Sequence, residues 1–243
     1  SPCFERTCRF GHNNCMRELK PRAVIEARAE ALGAPLLIAR QDWDAYAEHG
    51  RLVYFDQRGL LDLPPPVLPG PHQFQNAGTA IAALRELGFG EPEAVAAVTR
   101  AEWPARMQRL TRGPLVEAAG GCELWLDGGH NPAGGEAVAA TLAAMPARPT
   151  HLVCGMLNTK DVLGYMRPLA GVAQSLTAVA IPGEPNTLPA EETAGFAAQA
   201  GLPATTAPDV GAAVAGIAAA HPGARILICG SLYLAGRVLR ENG

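Results

Sequence analysis

From Glu123 onward the chain alternates short apolar runs with alanine-rich stretches of helical spacing, and this alternation restricts the fold more than any other feature. LWL at 124–126, HLVCGM at 151–156, LTAVAI at 176–181 and RILICG at 225–230 read as buried strands. Helices are predicted after each, over about 135–144, 162–169, 190–200 and 233–239. Strand and helix in strict alternation imply a mostly parallel sheet covered by helices on both faces, an α/β, Rossmann-like unit.

The segment before it is less regular. AVIEARAEAL at 23–32 has helical spacing and stops at Gly33, while LLIA at 36–39 and RLVYFD at 51–56 read as strands. A proline-rich loop spans 63–71, and helices are predicted over 76–87 and 92–99. Trp103-Pro104 ends the second of these, and 115–118 reads as a further strand. The expected division is residues 1–105 and 106–243.

With 243 residues, 48% hydrophobic and 18% charged, the chain can bury a sizeable core. A net charge of −3 gives no basic excess for a nucleic-acid partner. No apolar run reaches the roughly 20 residues that span a bilayer, and the first twenty residues lack the apolar centre of a signal peptide. A cytoplasmic protein is expected. Cys122, Cys154 and Cys229 lie in or beside apolar runs, as buried free thiols do. Cys3, Cys8, His12 and Cys15 are spaced C-x4-C-x3-H-x2-C, without the close cysteine pair of structural zinc sites. Residues 1–20 are expected to be a non-native or disordered leader, with no metal bound.

In open parallel sheets, ligands bind outside the carboxyl ends of the strands. Three loops fall there. Asp127-Gly128-Gly129-His130-Asn131-Pro132 follows the first strand and offers a carboxylate and an imidazole, with glycines that allow close backbone approach. The alternative is a tight turn with a capping aspartate. Lys160, in GMLNTKD, follows the next strand and has the charge to neutralise a carboxylate or phosphate. Ser231, in GSLYLAG, either caps the last helix or donates to the same ligand. Upstream, His72-Gln73-x-x-Asn76 places two amides on one helical face, able to read a nucleobase edge. Arg106 and Arg109 follow a proline break, where a guanidinium fork would hold phosphate.

Taken in order, HQ-x-x-NA, WPARMQ, LDGGHNP, GMLNTKD and GSLYLAG resemble the folylpolyglutamate synthase/dihydrofolate synthase family of the Mur ligase superfamily, over about residues 22–240. The resemblance implies ATP-dependent ligation of glutamate to dihydropteroate or a tetrahydrofolate through an acyl phosphate. It implies that Asn76 contacts adenine, Arg106 the phosphates and Asp127 the ribose or phosphate end of the nucleotide. His130 would lie near the transferred phosphoryl group, with Arg106 sharing its catalytic task. Lys160 and Ser231 would bind the incoming glutamate, with Tyr233 lining the same pocket. ATP and magnesium are the implied cofactors, small molecules the only implied partners, and a monomer the implied state.

The sequence also departs from that family. No G-T-x-G-K-G-S phosphate loop occurs in these residues, nor the family's central metal-binding acidic and histidine residues, nor an E-K-A-G-I-like segment with its magnesium-supporting lysine. The expectation is therefore a remnant of a central ATPase domain over 1–105, followed by a complete glutamate-binding domain, together inactive alone. The remnant's apolar face is expected to be exposed or rearranged. A non-catalytic nucleotide- or glutamate-binding module, and another Mur-superfamily amide ligase, are the competing expectations.

Overall fold

The computed structural model describes residues 12–243, with side chains from Arg22 onward. Helix α1 (His12–Leu32) ends where Gly33 takes the left-handed conformation, the C-terminal signal read from the sequence. Of the Cys3, Cys8, His12 and Cys15 set, the first two lie outside the described residues, and only the helical backbone is described for the others. A three-stranded antiparallel meander follows: β1 (Trp43–Glu48), β2 (Arg51–Asp56) and β3 (Gly59–Leu63). Two helices, α2 (His72–Glu86) and α3 (Glu91–Thr99), pack on one face of it. Trp43, Ala45, Leu52, Tyr54 and Leu63 alternate inward and meet Ile81, Ala82, Ala94 and Val98 in a core of their own. The opposite face leaves Tyr46, Phe55 and Leu60 exposed.

The second sheet has the order β4-β5-β9-β6-β7-β8. Its strands are β4 (Gln108–Leu110), β5 (Glu123–Leu126), β6 (Thr150–Cys154), β7 (Ser175–Ala178), β8 (Ala204–Thr206) and β9 (Arg225–Cys229). All neighbours run parallel except the β4–β5 edge pair. Helices α5 (Pro132–Ala144), α6 (Val162–Met166) and α7 (Ala190–Gln199) cover one face. Their side chains pack against Leu152, Cys154, Leu176, Leu227 and Cys229. Helices α4 (Pro114–Ala118), α8 (Val210–Ala220) and α9 (Leu232–Glu241) cover the other, against Leu124, Leu126, Val153, Ile226 and Ile228. The mostly parallel, doubly covered sheet is the architecture expected from the alternation. Cys154 and Cys229 are buried free thiols, and Cys122 is a half-buried one.

Some local expectations fail. LLIA at 36–39 forms no strand, only a bridge from Ala39 to Trp43, because no neighbouring strand pairs with it. Residues 114–118 are helical, not extended, since Gly113 and Pro114 start a turn of helix at N1. Strands β1, β3, β4 and β8 and helix α8 had no counterpart in the sequence reading.

At the end of the sheet away from the expected ligand loops, His151 is 1% exposed and stacks on His221 at 4.1 Å between ring centroids. Its Nδ1 lies 2.8 Å from Ser175 Oγ, while Nε2 is buried without a partner among the described residues. Burial first, then the His221 ring, pushes its pKa below the ordinary 6.5. The unfolded chain therefore takes up this proton more readily than the fold. Stability from this site is complete above 6.5 and falls as pH drops below it. His72, also shifted down, acts with the same sign. The melting temperature is expected to drop between about pH 7 and about pH 5, less steeply in His151→Gln. Equal slopes in both proteins would exclude His151 as a source.

Candidate functional site

Strands β5 and β9 are neighbours, yet the helices that follow them lie on opposite faces, which opens a crevice at their carboxyl ends. The loops after both strands meet there. A Cβ on Gly128 would meet the end of the half-exposed Leu232 side chain, so the two loops touch at this position.

Asp127, at the end of β5, is 5% exposed. Its Oδ1 accepts from the N–H of Gly129 at 2.7 Å, and Oδ2 accepts from the N–H of Met107 at 2.9 Å. Both alternatives left open by the sequence, structural aspartate and ligand-facing aspartate, thus concern a carboxylate whose oxygens each hold a backbone N–H. Burial raises its pKa, opposed by those two N–H donors and by the nearby Arg106 and His72 charges.

Arg106 sits between two residues of positive φ, Ala105 at 55° and Met107 at 41°. Non-glycine residues adopt this conformation at a cost, and here three hydrogen bonds hold it. Gly128 N–H donates to the Ala105 carbonyl at 2.8 Å, Met107 N–H to Asp127, and Ala105 N–H to Gln108 Oε1 at 2.9 Å. The kinked turn carries Arg106 to the wall of a cavity of about 670 Å³.

That cavity lies between the α2–α3 layer and the β5–α5 loop. Asn76, Arg106, Asp127 and His130 all line it, so four expected site residues from distant parts of the sequence converge on one space. His130 Nδ1 lies 2.9 Å from the Gly128 carbonyl, which fixes the ring over the loop. Asn131 caps α5, its Oδ1 accepting from Gly134 N–H at 2.8 Å. Ala77 and Ala80 of α2, Ala97 of α3 and Ala133 and Ala137 of α5 form part of the remaining wall, with Trp103 beside it, 64% exposed. A flat exposed indole at a cavity mouth is a stacking surface. Trp103 stood in the WPARMQ motif without an assigned role, as did His72 in its own; both line the cavity, as does Gln73, one of the two amides read as able to meet a nucleobase edge.

Lys160, Ser231 and Tyr233 do not line it. They stand after the adjacent strands β6 and β9, whose last residues Cys154 and Cys229 pair in register. Lys160 is exposed and has no ion-pair partner among the described residues. Ser231 is 2% exposed and caps α9, its Oγ accepting from Tyr233 N–H at 3.1 Å. The Tyr233 ring is exposed. No group of three His, Cys, Asp or Glu side chains converges as metal ligands among the described residues.

Residues 105–232 match the family model of the Mur ligase glutamate ligase domain. The chain belongs to the Mur ligase family. Among curated proteins, the folylpolyglutamate synthase of Lacticaseibacillus casei is 27% identical over 230 residues, covering 89% of this chain and 50% of that enzyme. Among solved structures, E. coli FolC in complex with DHPP and ADP superimposes with a TM-score of 0.75 at 26% identity, over 90% of this chain and 50% of that one. A bifunctional folylpolyglutamate synthase/dihydrofolate synthase with Mn, AMPPNP and L-glutamate bound gives a TM-score of 0.72 at 25% identity, over 89% and 50%. This Mur ligase chain spans about half the length of these relatives. No described helix is long and apolar enough to cross a membrane.

Proposed function

We propose that this chain supplies the adenosine-gripping and glutamate-gripping surfaces of an ATP-dependent folate–glutamate ligase, a monomeric cytoplasmic enzyme acting on small molecules alone. The observation that carries the proposal is the single cavity of about 670 Å³ that collects Asn76, Arg106, Asp127 and His130. Its size suits a nucleoside, its apolar wall residues suit a purine ring, and its polar side chains can meet the base edge, ribose and phosphates. Solved relatives hold ADP or AMPPNP, which supports the same ligand here.

Asn76 would meet the adenine edge, Trp103 its face, Asp127 the ribose, and Arg106 the phosphates. The reaction first joins a folate carboxylate oxygen to the γ-phosphorus of ATP and releases ADP. The amine of glutamate then attacks the acyl carbon, expels phosphate and loses a proton. His130 would stand near the transferred phosphoryl group. Lys160 would pair with a carboxylate of glutamate, with Ser231 and Tyr233 beside it. The task of these residues is to hold anions close together, which cations and N–H donors at fixed positions do well. Magnesium would accompany the ATP phosphates, but no donor set for it lies among the described residues, so no step is assigned to it.

Calorimetric titration tests both halves. ADP is expected to bind, and Asn76→Ala and Arg106→Ala to weaken it by about tenfold each, the loss of one good polar contact. Glutamate binding is expected to fall in Lys160→Ala. Absence of ADP binding would overturn the adenosine assignment. Because no phosphate loop occurs among these 243 residues, turnover of ATP, dihydropteroate or tetrahydrofolate, and glutamate is not expected from them alone. Robust turnover would refute that part.

A further inference from the structure

We infer that Gln73 is a positioning residue that fixes the amide of Asn76 and so makes the cavity select adenine over 6-oxopurines, an inference that rests on the adenosine reading above. Asn76 Nδ2 donates to Gln73 Oε1 at 3.0 Å, and Gln73 Nε2 lies 3.1 Å from His72 Nε2. Gln73 is 5% exposed and so has no bulk water to replace these partners. An amide nitrogen only donates, so His72 Nε2 accepts and the ring proton sits on Nδ1. The ring lies close against Gly70, where a Cβ would come within 2.6 Å of His72 Cε1 and 2.8 Å of Nδ1.

The three side chains therefore share one polarity. Turning Asn76 over sets its Oδ1 against Gln73 Oε1, and turning Gln73 over sets its oxygen against the lone pair of His72. Reversal requires both amides and the imidazole proton to change together. In the observed polarity, Asn76 keeps its Oδ1 and its second Nδ2 hydrogen for a ligand, and its side chain is exposed in the cavity wall. That acceptor–donor pair matches adenine, which offers an amino donor at N6 and an acceptor at N7. A 6-oxopurine presents an acceptor where adenine has the amino group and faces the Asn76 oxygen unfavourably.

The test compares ADP with inosine diphosphate by calorimetry on the full chain. The two ligands share ribose and phosphates, so their affinity ratio isolates the base. The native chain is expected to prefer ADP by about tenfold or more, the usual worth of a good two-point base contact. Gln73→Met, which keeps length but removes both polar groups, should bring the ratio to about twofold. Gln73→Glu should retain the native preference, because a carboxylate still accepts from Asn76 Nδ2. His72→Phe, should Gln73→Met not fold, is expected to relax the ratio as well. ADP binding with an unchanged ratio in Gln73→Met, or in His72→Phe where that variant replaces it, overturns the inference and leaves the adenosine reading standing. No ADP binding by the native chain overturns both.

Discussion

Asp127→Asn is expected to weaken ADP binding by more than tenfold and to lower the unfolding free energy by about 2 kcal/mol, although it changes only one atom. The carboxylate uses each oxygen for a different backbone N–H, Gly129 on one side and Met107 on the other. An asparagine accepts with one oxygen only. Its NH2 would then confront the second N–H, leaving a buried donor unpaired and two donors in contact. If Met107 N–H is the one abandoned, the positive-φ turn at Ala105–Met107 loses one of its three ties, and Arg106 leaves the cavity wall. The substitution thus acts on the nucleotide site twice, through the carboxylate and through the arginine it holds in place.

The acid titration of the same group runs opposite to the histidines. Its pKa is raised above the ordinary 3.8 by burial, so the fold takes up this proton before the unfolded chain does. Asp127 therefore contributes stability as pH falls from its folded pKa toward 3.8, and Asp127→Asn removes that contribution. Urea denaturation at neutral pH and ADP titration together decide the matter. A variant with native stability and native ADP affinity would show that neither N–H depends on the carboxylate.

How far the sequence disclosed this arrangement varied with the physics of each element. Strand β2 was legible to the residue, because RLVYFD is rich in β-branched and aromatic side chains and bounded by turns. Strand β1, WDAYAE, was not: its inward positions are Trp43 and Ala45, and an alanine reads equally well as helix. Helix α8, VGAAVAGIAAA, is apolar nearly all round, so it carries little 3.6-residue periodicity to recognise. The strand expected over 115–118 is a helix instead, because Gly113-Pro114 is a helix-starting signal stronger than the flanking glycine turns. In the site, Asn76, Arg106, Asp127 and His130 were found through motifs, but their sharing one cavity depends on how the α2–α3 layer meets the sheet. The hydrogen-bond partners of Asp127 and the link from Gln73 to His72 lie in geometry that spacing does not encode.

Gly230→Ala should be strongly destabilising, costing about 3–5 kcal/mol by combining overpacking with backbone strain. Gly230 has φ +104°, outside the range that side chains of L residues adopt readily. A Cβ there would lie 2.7 Å from Cys154 Sγ, 2.7 Å from the Gly155 carbonyl oxygen and 2.8 Å from Met156 Sδ. The Met156 side chain has some freedom to give way, but the Gly155 carbonyl is backbone and Cys154 is fully buried in the central strand β6. Relief must come from the β9–α9 loop, which carries Ser231. Moving that loop breaks the cap on α9 and displaces Ser231. On the proposed division of labour, glutamate affinity falls with stability, while ADP affinity in the cavity walled by α2, α3 and α5 changes much less. Denaturation midpoints and paired titrations of the two ligands measure this directly. A loss below about 1 kcal/mol would mean that the two loops yield more easily than their packing implies.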